Sequence, residues 1–236
     1  MKVFNNDKKN NDLRFFILVS FAESLINFRF ELIETLLLKG FEVHVVAPSM
    51  NVESSIRQKL EKIGVHVHNV PLSRARITPI KDLCYLIKIL QLIIFYRPKY
   101  FLSYTVKPVI YGSIAAWLGS VDLRYSMITG LGYAFSKGNF YRNVAGISVR
   151  ILYKFALSKC TKVFFQNPDD RDLFKKLYLI SHDIKLVPIT NGSGVNLKYF
   201  STTKYPKKLK FLLIARLLGD KGVREYVSAA SIVRKK

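Results

Sequence analysis

A chain of 236 residues, half of them hydrophobic and 23% charged, can bury a core and is not a disordered polymer. Its 38 Lys and Arg against 16 Asp and Glu leave a formal charge of +22, which implies an anionic partner: nucleic acid, an acidic membrane surface or phosphorylated substrates. Two cysteines, Cys84 and Cys160, stand far apart in apolar surroundings and read as buried, inert thiols of a reducing cytoplasm rather than as a disulfide.

Residues 1–12 are polar, lead into no signal-peptide pattern and are expected to be a disordered start. From Arg14 to Ser20 the chain is apolar and β-rich. A helical pattern follows from Ser24 to Lys39, with Leu25, Phe28, Leu32, Thr35, Leu36 and Lys39 along one face and Gly40 as its stop signal. The strand "EVHVVAP", a polar helix from Val52 to Ile63 and the strand "VHVHNVP" come next. Then follow a helix from Pro79 to about Tyr96, the strand "KYFLSY" and a helix from Pro108 to Leu118. The strand "LRYSMI", a glycine-bearing loop, a helix from about Phe140 to Leu157 and the strand "TKVFFQN" complete the series. Strands separated by helix-length patterns indicate βαβ units, so the expected class is α/β: a Rossmann-like parallel sheet with helices on both faces.

A polar, basic tract broken by Pro206 separates this series from "LKFLLIA", which restarts the alternation. The expected domains are residues 13–200, a linker at 201–208, and at 209–236 only the first strand and helix of a second Rossmann-like unit.

The most apolar stretch, Leu83 to Tyr96, is interrupted by Lys88 and closed by Arg97-Pro98, short of the roughly 20 residues a spanning helix needs. Leu83, Leu86, Leu90, Ile93 and Ile94 form a stripe that reads as core. Arg74, Arg76 and Lys81 precede it as a basic rim, which suits an anionic bilayer at the helix's exposed edge. The chain is therefore expected to be soluble or to lie on a membrane surface rather than to pass through it.

In open α/β sheets ligands lie off the carboxyl ends of the strands, so the candidate residues are those of four loops. In "SFAESLINFR", Ser24 reads as a helix cap, whereas Asn27 and Arg29 one turn in suit a phosphate at a helix start. Lys107, just before Pro108, faces either an anionic ligand or solvent. "MITGLGYAFSKG" offers Thr129, Gly130 and Gly132 after a buried strand, as a ligand loop or a plain turn. "PITNGSGVN" offers Asn191 and Gly192, as an anion-binding nest of amides or a turn before the linker. His66 and His68 share a strand face with no Cys or carboxylate cluster beside them, so no metal site is expected. No helix-turn-helix, RNA-recognition or zinc-array signature accompanies the charge, so no nucleic-acid partner is expected; a nucleic-acid binder remains a remote alternative.

Taken in order, "ESLINFRFELIETLLLKGFEVHVVAP", "PIKDL", "TVKPVIYGSIAA", "MITGLGYAF", "VFFQNPDDRDLF", "NGSGVNLKYF" and "IARLLGDKGVREY" resemble bacterial family-4 glycosyltransferases, specifically those that build lipid-linked glycans, capsule and O-antigen. The resemblance covers about residues 14 to 234. It implies a GT-B fold, two Rossmann-like domains with the active site between them, and retaining, metal-independent sugar transfer. It also implies a UDP-sugar donor, used as substrate with no cofactor, and a polyprenyl-diphosphate-linked acceptor. A cytoplasmic protein peripheral on the inner face of the cytoplasmic membrane is the expected setting. Arg216 and Lys221 of "RLLGDK" match the family's basic pair on the donor diphosphate, a cationic role that suits an anionic leaving group. No residue after Lys236 supplies the glutamate pair that the family places in its second domain, so the resemblance implies a C-terminally truncated chain with little activity alone. The alternative is a non-catalytic remnant that binds membrane or polyprenyl phosphate.

Overall fold

The computed structural model describes residues 13–73, 78–130, 140–180, 187–190, 192–215, 217 and 219–234. They divide into two compact units, Met1–Gly194 and Val195–Lys236.

The first unit is built on six strands: β1 Arg14–Leu18, β2 Glu42–Ala47, β3 His66–Asn69, β4 Tyr100–Tyr104, β5 Leu123–Ile128 and β6 Lys162–Phe165. All pair in parallel, in the order β3-β2-β1-β4-β5-β6. The helices are α1 Glu23–Leu38, α2 Ser55–Lys62, α3 Pro79–Tyr96, α4 Ser113–Leu118, α5 Phe140–Ser158 and α6 Pro168–Lys176. Alternation along β1 explains the layers. Phe15, Ile17 and Val19 join Leu25, Ile33, Leu36 and Leu60 in one core. Phe16 and Leu18 join Tyr85, Ile89, Ile93, Ala115 and Ala116 in another. Both faces of the central strand are covered, which is why its sequence is continuously apolar.

Local signals account for several boundaries. Asn167 Oδ1 accepts from the Asp170 amide at 2.7 Å, and Pro168, Asp169 and Asp170 fill the first turn of α6. Sequence reading had taken this stretch only as a family motif. The helix expected over 108–118 is instead a π-turn at Pro108–Gly112 running into α4. Gly112 presses on β1 there: a Cβ would sit 2.3 Å from Leu18 Cδ2 and 3.1 Å from Phe101. Beneath α4, the hydroxyls of Ser103, Ser113 and Ser126 form a fully buried triangle with sides of 2.9, 3.1 and 3.4 Å.

Three expectations need correction. On α3 the buried side is Asp82, Tyr85, Ile89 and Ile93, while Leu83 and Ile94 are exposed. On α1 it is Ser24, Leu25, Arg29, Ile33 and Leu36, with Phe28 half exposed. Both helices carry apolar residues on two sides, so apolar spacing alone did not fix which side faces the sheet. Finally, Cys84 is exposed on the solvent side of α3, and only Cys160 has its thiol pushed up by burial.

In the second unit, helix α7 (Val223–Arg234) forms as expected, but residues 209–215 carry no strand. A strand needs a laterally paired neighbour, and the described residues of this unit contain none. Leu209, Phe211, Leu212, Ile214, Val227, Ile232 and Val233 are all exposed. The Tyr226 hydroxyl donates to the Phe211 carbonyl at 3.0 Å and ties the two segments together. Among the described residues, no helix is long and apolar enough to cross a membrane.

Candidate functional site

The chain builds β1, β2 and β3 outward in one direction, then returns to the other side of β1 for β4, β5 and β6. Successive loops therefore diverge at the carboxyl ends of β1 and β4, the switch point at which open α/β sheets place their ligands. Thr105, directly after β4, holds a φ of +71°. A β-branched residue is strained in that region, and such strain persists only where the surroundings enforce it. Its hydroxyl donates to Ser20 Oγ at 2.7 Å, tying the ends of β4 and β1 together.

Beside this tie lies Arg29, 5% exposed, from the second turn of α1. Its guanidinium stands 5.0 Å from the centre of the Tyr104 ring. Nη1 donates to the Phe28 carbonyl at 2.7 Å and to Ser193 Oγ at 2.9 Å, and Nη2 contacts Met127 Sδ at 2.8 Å. Its Nε is buried without a hydrogen-bond partner, and among the described residues no carboxylate pairs with it. Burial lowers its pKa from the ordinary arginine value, Tyr104 opposing weakly. Tyr104 itself is pushed up to about 12, mainly by burial. A buried cation matched only by neutral dipoles is costly in the free protein and is stabilised by an arriving anion.

Ser24 does not cap α1. The cap position is Ala22, and Ser24 Oγ donates to the Phe21 carbonyl at 2.5 Å while receiving the Tyr104 hydroxyl at 2.9 Å. The side chain thus braces the ring that Arg29 covers. Ser193 belongs to the loop after residues 188–190, which align beside β6 through the Phe165–Ile189 bridge. Gln166 Nε2 also reaches Ser193 Oγ, at 3.2 Å. Gly192 and Gly194 have φ of +76° and +75°, the left-handed conformation that brings this loop back over the sheet end.

Of the residues singled out from sequence, Arg29 and the Gly192 loop are brought together. Asn27 is exposed on α1, Thr129 is exposed after β5, and Gly130 follows it with a φ of +147°. Lys107 is a different case. Its Nζ donates to Asp82 Oδ1 at 2.5 Å, with the Asp82 side chain buried and that of Lys107 11% exposed. Asp82 also accepts from the Thr78 amide and the Tyr111 hydroxyl, each at 3.3 Å. This pair joins the start of α3 to the end of β4, so a ligand for Lys107 would compete with Asp82. Lys81 is exposed on α3, and Lys221 is exposed in the second unit, at the end of a 3-10 turn, Gly219–Lys221. Arg74, Arg76, Gly132, Asn191 and Arg216 lie outside the described residues. Ser20, Tyr104, Thr105 and Ser193 were missed, because single hydroxyls beside glycine or β-branched residues have no spacing signature.

At the amino ends of the strands, β2 and β3 assemble a second polar cluster. Pairing of His44 with His66 brings Glu42 Oε1 to 2.9 Å from His44 Nε2 and 3.9 Å from His66 Nε2. The carboxylate that sequence reading found missing beside His66 and His68 comes from the neighbouring strand.

Comparison with known proteins agrees with this architecture. The family model "Glycosyl transferase 4-like" matches residues 17–167. The chain is 26% identical over 230 residues to the N,N'-diacetylbacillosaminyl-diphospho-undecaprenol alpha-1,3-N-acetylgalactosaminyltransferase of Campylobacter jejuni, covering 90% of this chain and 58% of that protein. Among solved structures it resembles a glycosyltransferase from Rickettsia africae (TM-score 0.56, 15% identity, 81% of this chain and 45% of that one). It also resembles a UDP complex of MnaA from S. aureus (TM-score 0.53, 14% identity, 83% and 49%). The chain thus spans a little over half the length of the curated relative, and its parallel sheet is a Rossmann-like domain of the GT-B type. On the family match over most of the first unit, the chain belongs to the glycosyl transferase 4-like family.

Proposed function

We propose that this protein acts in lipid-linked glycan assembly, moving an N-acetylhexosamine from a UDP-sugar to a polyprenyl-diphosphate-linked acceptor. The carrying observation is Arg29: a buried guanidinium with no carboxylate partner among the described residues, beside the switch point of the sheet, suited to a phosphate of either substrate. The Campylobacter relative, similar along 90% of this chain, is named for transfer to an undecaprenol-diphosphate sugar. Arg216 and Lys221 are the proposed cationic partners of the departing nucleotide diphosphate. Cationic stabilisation of that leaving group is what metal-independent, retaining transfer requires of the protein.

The proposed setting is the inner face of the cytoplasmic membrane. Ile80 (81% exposed), Leu83, Ile87, Ile94 and Phe95 (76% exposed) line the open side of α3, interleaved with Lys81 and Lys88. Apolar side chains with lysines among them match the boundary between acyl chains and anionic headgroups.

The test is a transfer assay with UDP-hexosamine and UDP-hexose donors and polyprenyl-diphosphate-linked acceptors. A form extended to the length of the Campylobacter relative is expected to transfer sugar, and the 236-residue chain little or none. Absence of transfer by the extended form with every pair overturns the proposal. A second reading, a non-catalytic binder of membrane or polyprenyl phosphate, draws on the second unit, where Leu209, Phe211, Leu212, Ile214, Val227 and Ile232 are exposed. Lipid binding by the extended form without any transfer selects it.

A further inference from the structure

We propose that Glu42, His44 and His66 form a three-ligand site for a divalent transition-metal ion of the zinc class, clamping edge strand β3 to β2. The three donor atoms lie within 4.8 Å of one another. Around a tetrahedral zinc ion, ligand atoms about 2.0–2.2 Å from the metal are separated by about 3.3 Å. The Glu42–His44 and Glu42–His66 separations, 2.9 and 3.9 Å, bracket that value, and the exposed His66 ring, stacked on His44 at 4.6 Å, must turn out of that stack to aim its nitrogen at the ion.

The surrounding shell is what sets this cluster apart from a chance grouping. Arg14 Nε holds Glu42 Oε2 at 2.9 Å, leaving Oε1 turned toward the two histidines. His44 Nδ1 lies 3.0 Å from His68 Nε2, so its ring is fixed through the nitrogen opposite the proposed ligand atom. Phe16 stacks on the His44 ring at 4.6 Å, and Tyr96 packs against it at 4.7 Å. Outer partners of this kind orient ligands and set their tautomers. His44 is fully buried and His68 half-buried, so both rings are held in place by their surroundings. His66, more than half exposed, gives an ion its route in and leaves a fourth position for water.

The protons balance. Without metal, His68 Nε2–H donates to His44 Nδ1, and His44 Nε2–H donates to Glu42. With metal on His44 Nε2, His44 carries its proton on Nδ1 and donates to His68 Nε2. Both rings shift tautomer and no net proton is released. Arg14 is the opposing factor, because its charge faces the ion across Glu42. The site lies at the opposite end of the strands from Ser20 and Thr105, so its role is structural.

The experiment uses the untagged 236-residue chain, stripped with chelator and titrated calorimetrically with Zn²⁺. One equivalent is expected to bind and to raise the thermal midpoint. His66→Ala, at an exposed position, is expected to keep the metal-free midpoint, weaken binding at least tenfold and abolish the zinc-dependent rise. Variants His182→Ala and Cys84→Ser are expected to bind as the parent does, and Co²⁺ to give the absorption of a tetrahedral N/O site. No saturable binding, unchanged affinity in His66→Ala, or a loss that follows His182 or Cys84 instead overturns the proposal.

Discussion

The Arg29 guanidinium lies 5.0 Å from the centre of the buried Tyr104 ring and has no carboxylate partner among the described residues. A folding role alone gives little reason for a cation there. Replacing it with an apolar side chain of similar reach removes a desolvated charge. Arg29→Met is therefore expected to unfold in urea at the parent midpoint or above, by about 1 kcal/mol. Transfer by an extended, active form is expected to fall about 100-fold. A midpoint several kcal/mol lower with activity intact would make Arg29 structural.

The Asp82–Lys107 pair is expected to behave in the opposite way. Asp82→Ala removes the carboxylate facing the Lys107 ammonium and an acceptor from Thr78 and Tyr111, so it should cost about 3–5 kcal/mol in urea unfolding. Adding Lys107→Met should return most of that loss. If the double variant is as unstable as the single, the loss belongs to the Thr78 and Tyr111 bonds rather than to the lost charge pair.

Binding of the chain to anionic vesicles is expected to weaken as salt rises, because lysines near a charged surface act within a Debye length. With each lysine contributing about 1 kcal/mol, Lys81→Glu with Lys88→Glu should reduce co-sedimentation at least about tenfold. Phe95→Ser should reduce it at every salt concentration. Equal pelleting by all three proteins would remove α3 as the contact.

The two thiols should separate by alkylation rate. Cys84 is exposed and should react in the folded protein. Burial disfavours the Cys160 thiolate and raises its pKa, so at a given pH less of the nucleophile exists and labelling should need higher pH or denaturant. Mass spectrometry of the two peptides reads this directly, and equal rates would contradict the burial of Cys160.

Strand number, strand type and most helix spans were legible in the sequence, since buried parallel strands are short apolar runs and glycine or proline closes the helices between them. Helix orientation was not. Arg29 and Asp82, which charge alone assigns to solvent, both sit on the buried sides of their helices. Each is held there by groups distant in sequence: Ser193 and Met127 for the first, Lys107 and Tyr111 for the second. Glu42 beside His66 was hidden for the same reason, because strand register is a tertiary property. In the second unit, "LKFLLIA" has strand composition but lacks a neighbour to pair with among the described residues.

The triangle of Ser103, Ser113 and Ser126 has a consequence for how this core tolerates change. Three hydroxyls, each giving one proton to the next, close a loop, with the Cys160 thiol 3.2 Å from Ser126 Oγ at its flank. Such a loop is an all-or-nothing unit. Removing one hydroxyl leaves the other two buried, each with one partner fewer. Replacing all three with alanine leaves nearly the same shape and far fewer orphaned polar groups. The order of tolerance inverts: one alanine is worse than three, and a route through sequence space that changes these positions singly climbs before it descends.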